Sequence, residues 1–357
     1  MSLIHILVAH LRVYSCYKSI FEHSKCNRIN NISFCHHTPV FFPEKQPKVH
    51  PLRIETHYIR FLLSIGLGML AHSSESIEQI ARVTHPELKE MSGIVTSQQN
   101  DIYWVHNDSG DEARIFAIDI EGQVQIPSWI KTKNPNKWDG HKIEAAWNHD
   151  WEDIALDDGV LYIGDVGNNG NARRDLGVYV INEFDPSAVI KARSNHYLPI
   201  RYPDQQHYPA KNWHFDCEAI FTFEKKLYFL TKHREAGQIS SWEPGTKLYR
   251  LDTYYTDKDN LLTLIDAHPL VSLVTGADVS PNEEFLAILT YPRLWVFDKP
   301  KDNDSWLQTR TRILDLPRNL VKQNEGVTWQ SSETILITNE NGEIFRVHID
   351  TLDDFMP

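Results

Sequence analysis

Glu152-Asp153-Ile154, followed nine residues later by Leu161-Tyr162-Ile163, is one copy of a pattern that occurs five times in this chain. Each copy begins with a ligand-type polar residue, or in one case with alanine, two positions before a β-branched residue. The starting segments are Ser92-Gly93-Ile94, Glu152-Asp153-Ile154, Glu218-Ala219-Ile220, Ala277-Asp278-Val279 and Glu325-Gly326-Val327. They lie 60, 66, 59 and 48 residues apart, which predicts a repeat architecture.

Two apolar runs follow each starting segment. The first begins nine or ten residues later, as at Leu161-Tyr162-Ile163, and the second follows a polar cluster, as at Val178-Tyr179-Val180-Ile181. Three strands in each of five units are typical of the inner strands of propeller blades. The last unit has almost no chain left for a fourth strand, so we expect residues 77–83 to supply it and to cover its edge.

The sequence therefore predicts an all-β fold, a five-bladed β-propeller with an N-terminal strand closing the last blade. Six or seven blades, or a β fold of another kind, are the alternatives, and no sixth starting segment is present. The composition agrees, because the aromatic residues stand mostly in short runs with Val, Ile and Leu, and long stretches of helical period are missing.

The N-terminal region is predicted to lie outside this fold. Residues 61–71 form an apolar run after an Arg-bearing flank and end in a small residue, which is typical of a secretory signal peptide. We expect a signal peptide over 52–72, a propeller domain over 73–357 and a secreted or periplasmic protein. Residues 1–51 are interpreted as a doubtful leader from a start codon assigned too early, with a membrane anchor or a cytosolic extension as the alternative.

Charge and cysteine content narrow the classes of partner. The net charge of −12, from 36 basic and 48 acidic residues, argues against nucleic acid and anionic lipid but not against metal cations. We expect no stable membrane anchor after signal cleavage. Cys217 is isolated in the body of the chain, which predicts a buried thiol rather than a disulfide framework.

The five starting residues are predicted to meet at the channel axis, because the first strand of each blade lines the channel of a propeller. The residues at this level are Ser92, Glu152, Glu218, Ala277 and Glu325. Three adjacent carboxylates stay ionised only beside a cation, and oxygen ligands without His or Cys favour Ca²⁺ over zinc. The carbonyl of Ala277, Thr275 or a water would complete the ring. The alternative is that each glutamate pairs with an arginine or accepts from backbone amides.

These segments resemble those of the calcium-dependent soluble apyrases, five-bladed propellers that hydrolyse nucleoside di- and triphosphates and hold one calcium on the axis. The resemblance implies calcium ligands at Ser92, Glu152, Glu218 and Glu325, with Ala277 where the family has a serine.

Two further stretches, 161–167 and 227–234, are similar to strands of that family's second and third blades. The first-blade motif departs, since Asn-Asp-Ser-Gly-Asp at 107–111 replaces Asp-Asp-Arg-Thr-Gly. Segments 104–114 and 150–174 resemble uncharacterised secreted bacterial propellers more closely still.

The loops between second and third strands return to the face of the predicted metal ring, and they carry the candidate catalytic and binding residues. Asp108 or Asp165 would act as general base while the metal polarises a phosphoryl oxygen. The side chains predicted to hold a small phosphate-bearing ligand are Arg114, Asn168, Lys232, His233, Arg234 and Arg293. The same residue types are also ordinary in turns and on solvated surfaces.

Two classes of function follow, and the fold does not choose between them. One is a calcium-dependent phosphohydrolase acting on nucleotides or other phosphoesters. The other is a non-catalytic binding module with a structural calcium. A third, sugar-lactone hydrolysis, usually relies on Asn and Asp ligands that this ring lacks.

Overall fold

The computed structural model describes residues 76–99, 101–131 and 137–356. The predicted leader (1–51) and signal peptide (52–72) lie outside the described residues. Within the part of the chain that is described, no helix is both long and apolar enough to cross a bilayer.

Five sheets make up the fold, and each begins with an inner strand that carries one of the predicted starting segments. The inner strands are β2 (Met91–Thr96), β6 (Trp151–Asp157), β11 (Trp213–Phe223), β16 (Val274–Val279) and β20 (Asn324–Ser331). Each packs against the next and β20 returns to β2, so the five strands surround a central channel. The prediction of a five-bladed β-propeller is confirmed.

The predicted apolar runs form the second and third strands of the blades, paired antiparallel. These strands are β3 (Tyr103–Asn107), β4 (Arg114–Ile118), β7 (Val160–Asp165), β8 (Gly177–Asn182), β12 (Lys226–Arg234), β13 (Thr246–Arg250), β17 (Phe285–Thr290), β18 (Arg293–Asp298), β21 (Thr334–Asn339) and β22 (Glu343–His348). The central part of each strand is an apolar run because neighbouring blades cover both of its faces, as the full burial of β3 and β4 shows.

The outer edges of the blades are less regular. The fourth strands of the first four blades are β5 (His141–Glu144), β10 (His196–Arg201), β15 (Thr263–His268) and β19 (Thr311–Asp315). Short fifth strands extend three of these edges, and they are β9 (Lys191–Arg193) on β5, β14 (Asn260–Leu261) on β10 and β23 (Asp353–Asp354) on β19. The helical turns are α1 (Ser128–Lys131), α2 (Arg318–Val321) and the 3₁₀ turns Trp306–Gln308 and Ile349–Thr351.

An N-terminal strand closes the fifth blade. Strand β1 (Ile77–Arg82) pairs antiparallel with β22, and Ile77 lies opposite Val347. This confirms the prediction that residues before the first repeat supply the missing fourth strand, which covers an edge that would otherwise be free to pair with another chain.

Small residues after the ring positions let the inner strands approach one another. A Cβ on Gly93 would lie 2.9 Å from the Cα of Asp153, and a Cβ on Gly326 would lie 2.7 Å from the carbonyl oxygen of Ser92. Such distances are too short for any side chain, so glycine is required where these strands converge. This packing accounts for the Ser-Gly and Glu-Gly pairs at the start of the first and fifth repeats.

Two buried aspartates join the inner strands below the mouth of the channel. The Asp153 carboxylate accepts from the backbone N–H of Ile220 in β11 (3.0 Å) and of Ala277 in β16 (3.4 Å). The Asp278 carboxylate accepts from the Thr328 hydroxyl (2.8 Å) and from the N–H of Trp329 (2.9 Å), both in β20. Hydrogen bonds to a buried carboxylate are stronger than neutral ones, so these contacts tie neighbouring blades together.

Candidate metal centre at one channel mouth

The starts of the inner strands gather the predicted ring residues at one mouth of the channel. The Ser92 hydroxyl donates to the Glu152 carbonyl at 2.8 Å. The charge of Glu218 acts directly on Glu152, and Lys232 lies close to the carboxylates of both Glu218 and Glu325. The structure therefore brings these residues together, but their surroundings differ from blade to blade.

In blades three to five the ring glutamates already have protein partners. Glu218 accepts from Lys232 Nζ at 2.7 Å and from Arg234 Nη2 at 3.3 Å. Glu325 accepts from the Tyr291 hydroxyl at 2.9 Å. The ammonium of Lys232 also lies 5.0 Å from the centroid of the Tyr291 ring. Glu218 therefore pairs with an arginine, as the alternative to a metal ring expects, whereas Glu325 accepts from a tyrosine hydroxyl.

In blades one and two three carboxylates cluster without such partners. Asp108, Asp150 and Glu152 each place a carboxylate oxygen within 4.8 Å of the others. Asp108 follows β3, Asp150 precedes β6 and Glu152 lies in β6. No salt bridge joins a basic side chain to any of the three in the described part of the chain. The cluster shares Glu152 with the predicted ligand set and adds Asp150, which the sequence analysis did not single out.

Burial and mutual repulsion shift the pKa values of this cluster upward. Burial, together with Asp216 and Asp108, raises the pKa of Asp150 to about 6. Burial raises the pKa of Glu152 well above its usual range, and the charges of Glu218 and Asp108 add to the effect. Burial also raises the pKa of Asp108. Carboxylates in this state gain from a cation, because it removes the repulsion that opposes their ionisation.

Gly167 closes over the cluster. A Cβ at this residue would overlap Glu152 Oε1 and lie 2.5 Å from Asp150 Oδ2. Its N–H donates to the Asp150 carbonyl at 3.1 Å. The backbone of the loop after β7 therefore forms one wall of the cluster, and only glycine leaves the space between the two carboxylates open.

The cluster fits calcium in the chemistry of its donors. All three side chains offer hard oxygen ligands, and Ca²⁺ takes six to eight oxygens, so water or a ligand would complete the shell. Thr275 Oγ1 is one of the oxygens expected to complete the ring beside Ala277. It is buried and has no hydrogen-bond partner among the described residues. A sequence signal for Asp150 exists, since Asp150-Trp151-Glu152 and Asp216-Cys217-Glu218 share an acid two residues before the ring glutamate.

The predicted catalytic aspartates lie in different settings. Asp108 belongs to the cluster. Asp165 is buried, and its Oδ1 accepts from Arg173 Nη2 at 2.9 Å and from the N–H of Asp150 at 3.1 Å. Asp165 therefore orients the backbone that carries Asp150, which is a supporting position rather than one open to a ligand.

The basic side chains predicted to hold phosphate are each paired with an acid. Arg114 bonds Asp111 at 2.6 Å, Arg234 bonds Asp216 at 2.6 Å and Arg293 bonds Asp315 at 2.6 Å. Lys232 is paired with Glu218, as described above. An arginine whose donors are already used has less to offer a phosphate, so these four cations stabilise the mouth of the channel and its surroundings first.

The two remaining predicted ligand-holding residues also have protein partners. Asn168 Nδ2 donates to the Phe215 carbonyl at 3.0 Å, and its N–H donates to Asp216 at 2.6 Å. The His233 ring stacks on His214 with a centroid distance of 3.9 Å. Burial lowers the pKa of His233 to about 3, so its imidazole is neutral at physiological pH.

These features define a five-bladed β-propeller with an acidic cluster at one channel mouth. No protein-family model matches the chain, and a search of curated proteins gives no match. Among solved structures it is similar to glutaminyl cyclase of Myxococcus xanthus, with 12% identity over 78% of this chain and 97% of that one and a TM-score of 0.42. A luciferin-regenerating enzyme has 10% identity, coverage of 78% and 97% and a TM-score of 0.43.

The PQQ-bound aldose sugar dehydrogenase of Streptomyces coelicolor has 10% identity over 76% of this chain and 98% of that one, with a TM-score of 0.41. At these TM-scores none of the three proteins informs the activity of this chain. The sheet topology supports the β-propeller that the resemblance to the apyrases implies. Membership of the apyrase family has no support from the comparisons.

Proposed function

We propose that the protein is a secreted or periplasmic calcium-binding propeller that holds one Ca²⁺ through Asp108, Asp150 and Glu152 and binds a small anionic ligand on the same face. The observation that carries the proposal is the set of three carboxylates under Gly167, none of which forms a salt bridge with a basic side chain among the described residues. The predicted signal peptide over 52–72 supports the location. A bound calcium would supply positive charge in a mouth where the protein's own cations are already paired.

The proposed ligand set differs from the ring implied by the apyrase resemblance. In that ring Glu218 would have to bind calcium while its carboxylate is bonded to Lys232 and Arg234. Breaking a buried ion pair leaves an uncompensated charge and costs about 3–5 kcal/mol. The cluster of blades one and two avoids this cost, which is the reason we favour it.

Hydrolysis of a phosphoester is the second candidate, and one observation favours it. The three carboxylates leave several coordination positions for water and for a phosphoryl oxygen. Asp108 is half-buried and lies on a loop, where it can accept a proton from water. The pairing of the predicted phosphate-holding residues favours the binding module over this enzyme.

A calcium titration followed by thermal unfolding tests the proposal. We expect calcium to raise the melting temperature of the wild type over that in EDTA, and Glu152→Gln to abolish the rise. Glu218→Gln is the matched variant, because it changes the equivalent residue of blade three, and it should keep the rise. Equal loss in both variants would restore the ring of Ser92, Glu152, Glu218 and Glu325. No response of the wild type would reject a calcium site altogether.

Phosphate release from ADP, GDP and UDP, measured in the same samples, separates the two candidate functions. Calcium-dependent release that Glu152→Gln abolishes would establish the phosphohydrolase. A calcium-dependent rise in melting temperature without release would leave the binding module, with the cation in a structural or ligand-holding role.

A further inference from the structure

A cavity lies beside the channel mouth, and none of its wall residues belongs to the cation cluster. Its volume is about 480 Å³, and its walls come from loops of blades three to five. The residues that matter for its chemistry are Trp242, Leu273, Tyr291, Pro292, Leu316 and Arg318. Cavities of this size accept small molecules, and apolar walls with few polar groups are typical of such sites.

Tyr291 belongs to both the cavity and the channel mouth. Its ring is part of the cavity wall, while its hydroxyl donates to Glu325 at 2.9 Å. Trp242 has a similar double position, because its backbone forms an isolated bridge with Arg234, which bonds the acids of the mouth. The Tyr291 hydroxyl and the Trp242 backbone are therefore held by residues of the mouth, and Trp242 is still 46% exposed.

The backbone around the cavity is held in unfavourable conformations. Leu273 has a φ of 61°, and Lys322, at the end of α2, has a φ of 56° with a ψ of −126°. Neither residue is glycine, and such conformations cost about 1–3 kcal/mol each and are common where a protein holds a ligand. The Leu273 carbonyl accepts from the N–H of Tyr291 at 3.2 Å, so the strained residue fixes the aromatic wall.

The cavity offers one uncommitted cation. Lys322 Nζ bonds Glu343 at 2.7 Å and is not available to a ligand. The guanidinium of Arg318 is exposed and has no hydrogen-bond or ion-pair partner in the residues that the structure describes. It differs in this from Arg114, Arg234 and Arg293. A free arginine in one cavity with two aromatic residues suits a flat ring with an anionic group, which can bond the fork of the guanidinium.

We propose that this cavity binds a planar ring that carries an anionic substituent, with the ring against Trp242 and Tyr291 and the anion at Arg318. The inference rests on the proposed function in one respect, since it names the class of small anionic ligand that the face of the propeller takes. It does not require that the cation contribute to the affinity of the cavity.

Calorimetric titration of the full chain with phenyl phosphate, inorganic phosphate and benzyl alcohol tests this site, in calcium and in EDTA. We expect phenyl phosphate to bind at least tenfold more tightly than either of the other two, and to bind in EDTA as well. Arg318→Gln should weaken phenyl phosphate about tenfold and leave benzyl alcohol unchanged. Trp242→Ala should weaken both ring-bearing probes.

Trp147→Ala is the matched control, because Trp147 is an exposed tryptophan of a different loop that hydrogen-bonds its neighbours Tyr179 and Trp151 through its backbone. It should leave all three affinities unchanged. Equal affinity for phenyl phosphate and inorganic phosphate, or equal effects of Trp242→Ala and Trp147→Ala, would overturn the cavity proposal. Calcium should still raise the melting temperature of Trp242→Ala. If calcium does not raise the melting temperature of the wild type either, the cation site is overturned, but the cavity proposal is not.

Discussion

The two halves of the channel mouth carry the same kind of acid in opposite electrostatic settings. Glu152 in blade two and Glu218 in blade three stand at equivalent positions of the repeat, 66 residues apart. Glu218 is bonded to Lys232 and Arg234, whereas Glu152 forms no salt bridge among the described residues, and after burial the charges of other acids shift its pKa most. An acidic ring position therefore does not define a cation site by itself. The residues that neutralise it, or fail to, decide which acid is left for a metal.

Two exchanges, at the end of the neighbouring strand or just beyond it, explain the difference. Val166 lies 66 residues before Lys232 and Asn168 lies 66 residues before Arg234, so blade two has neutral side chains where blade three has two cations. The acids two residues before the glutamates follow the same rule. Asp216 bonds Arg234 at 2.6 Å, while Asp150 has no basic partner among the residues described and has a raised pKa.

Removing Lys232 should make blade three resemble blade two. The resulting loss of stability is the largest effect that we expect. Lys232→Met leaves the buried Glu218 without its ammonium partner, which should lower the free energy of unfolding by about 3–5 kcal/mol. Urea denaturation at pH 7 in EDTA measures the loss. Calcium should stabilise this variant more than the wild type, because Glu218 then keeps only Arg234, at 3.3 Å, as a basic partner.

The control for this variant is Lys191→Met. Lys191 pairs with Glu144 at 3.3 Å on the surface, with both side chains more than half exposed. Its loss should cost at most about 1 kcal/mol. If Lys232→Met and Lys191→Met cost the same, then Lys232 does not hold the acids of blades three to five.

The repeat pattern does not predict most of this difference between the two halves of the mouth. The starting segments and the apolar runs predict the blades, the ring level and the closure by β1, because strands and their order follow from local sequence. The partners of the ring acids come from other strands and loops. Tyr291 reaches Glu325 from a turn between β17 and β18, and Gly167 reaches Asp150 across a loop, so neither contact follows from spacing along the chain.

The buried aspartates show a third arrangement, in which backbone N–H groups and a hydroxyl replace basic side chains. Burial raises the pKa of Asp278 to about 6 from a usual value of 3.8. The folded protein then binds a proton more tightly than the unfolded chain, so this group stabilises the fold below about pH 4. That contribution is lost as pH rises to about 6, and a shift of about two units corresponds to about 3 kcal/mol.

Asp278→Asn should remove this pH dependence while keeping an oxygen that accepts from Thr328 and Trp329. Relative to the wild type, the free energy of unfolding of the variant should increase by about 3 kcal/mol between pH 4 and pH 7. Urea denaturation across this range measures it. Asp302→Asn, at an exposed aspartate, should show a constant difference, and a constant difference for Asp278→Asn would contradict the raised pKa.

The smallest effect that we expect comes from a substitution at the acidic cluster itself. Gly167→Ala adds one methyl group that overlaps Glu152 Oε1 and crowds Asp150, so the two carboxylates must separate. We expect the calcium concentration at half-saturation of the melting shift to rise at least tenfold, about 1.4 kcal/mol. Gly170→Ala is the matched control in the same loop, because a Cβ there meets no atom within 4 Å. The atoms nearest to the added methyl group belong to Glu152 and Asp150. A calcium response that survives Gly167→Ala unchanged would therefore place the cation in the half of the mouth that holds Glu218 and Glu325.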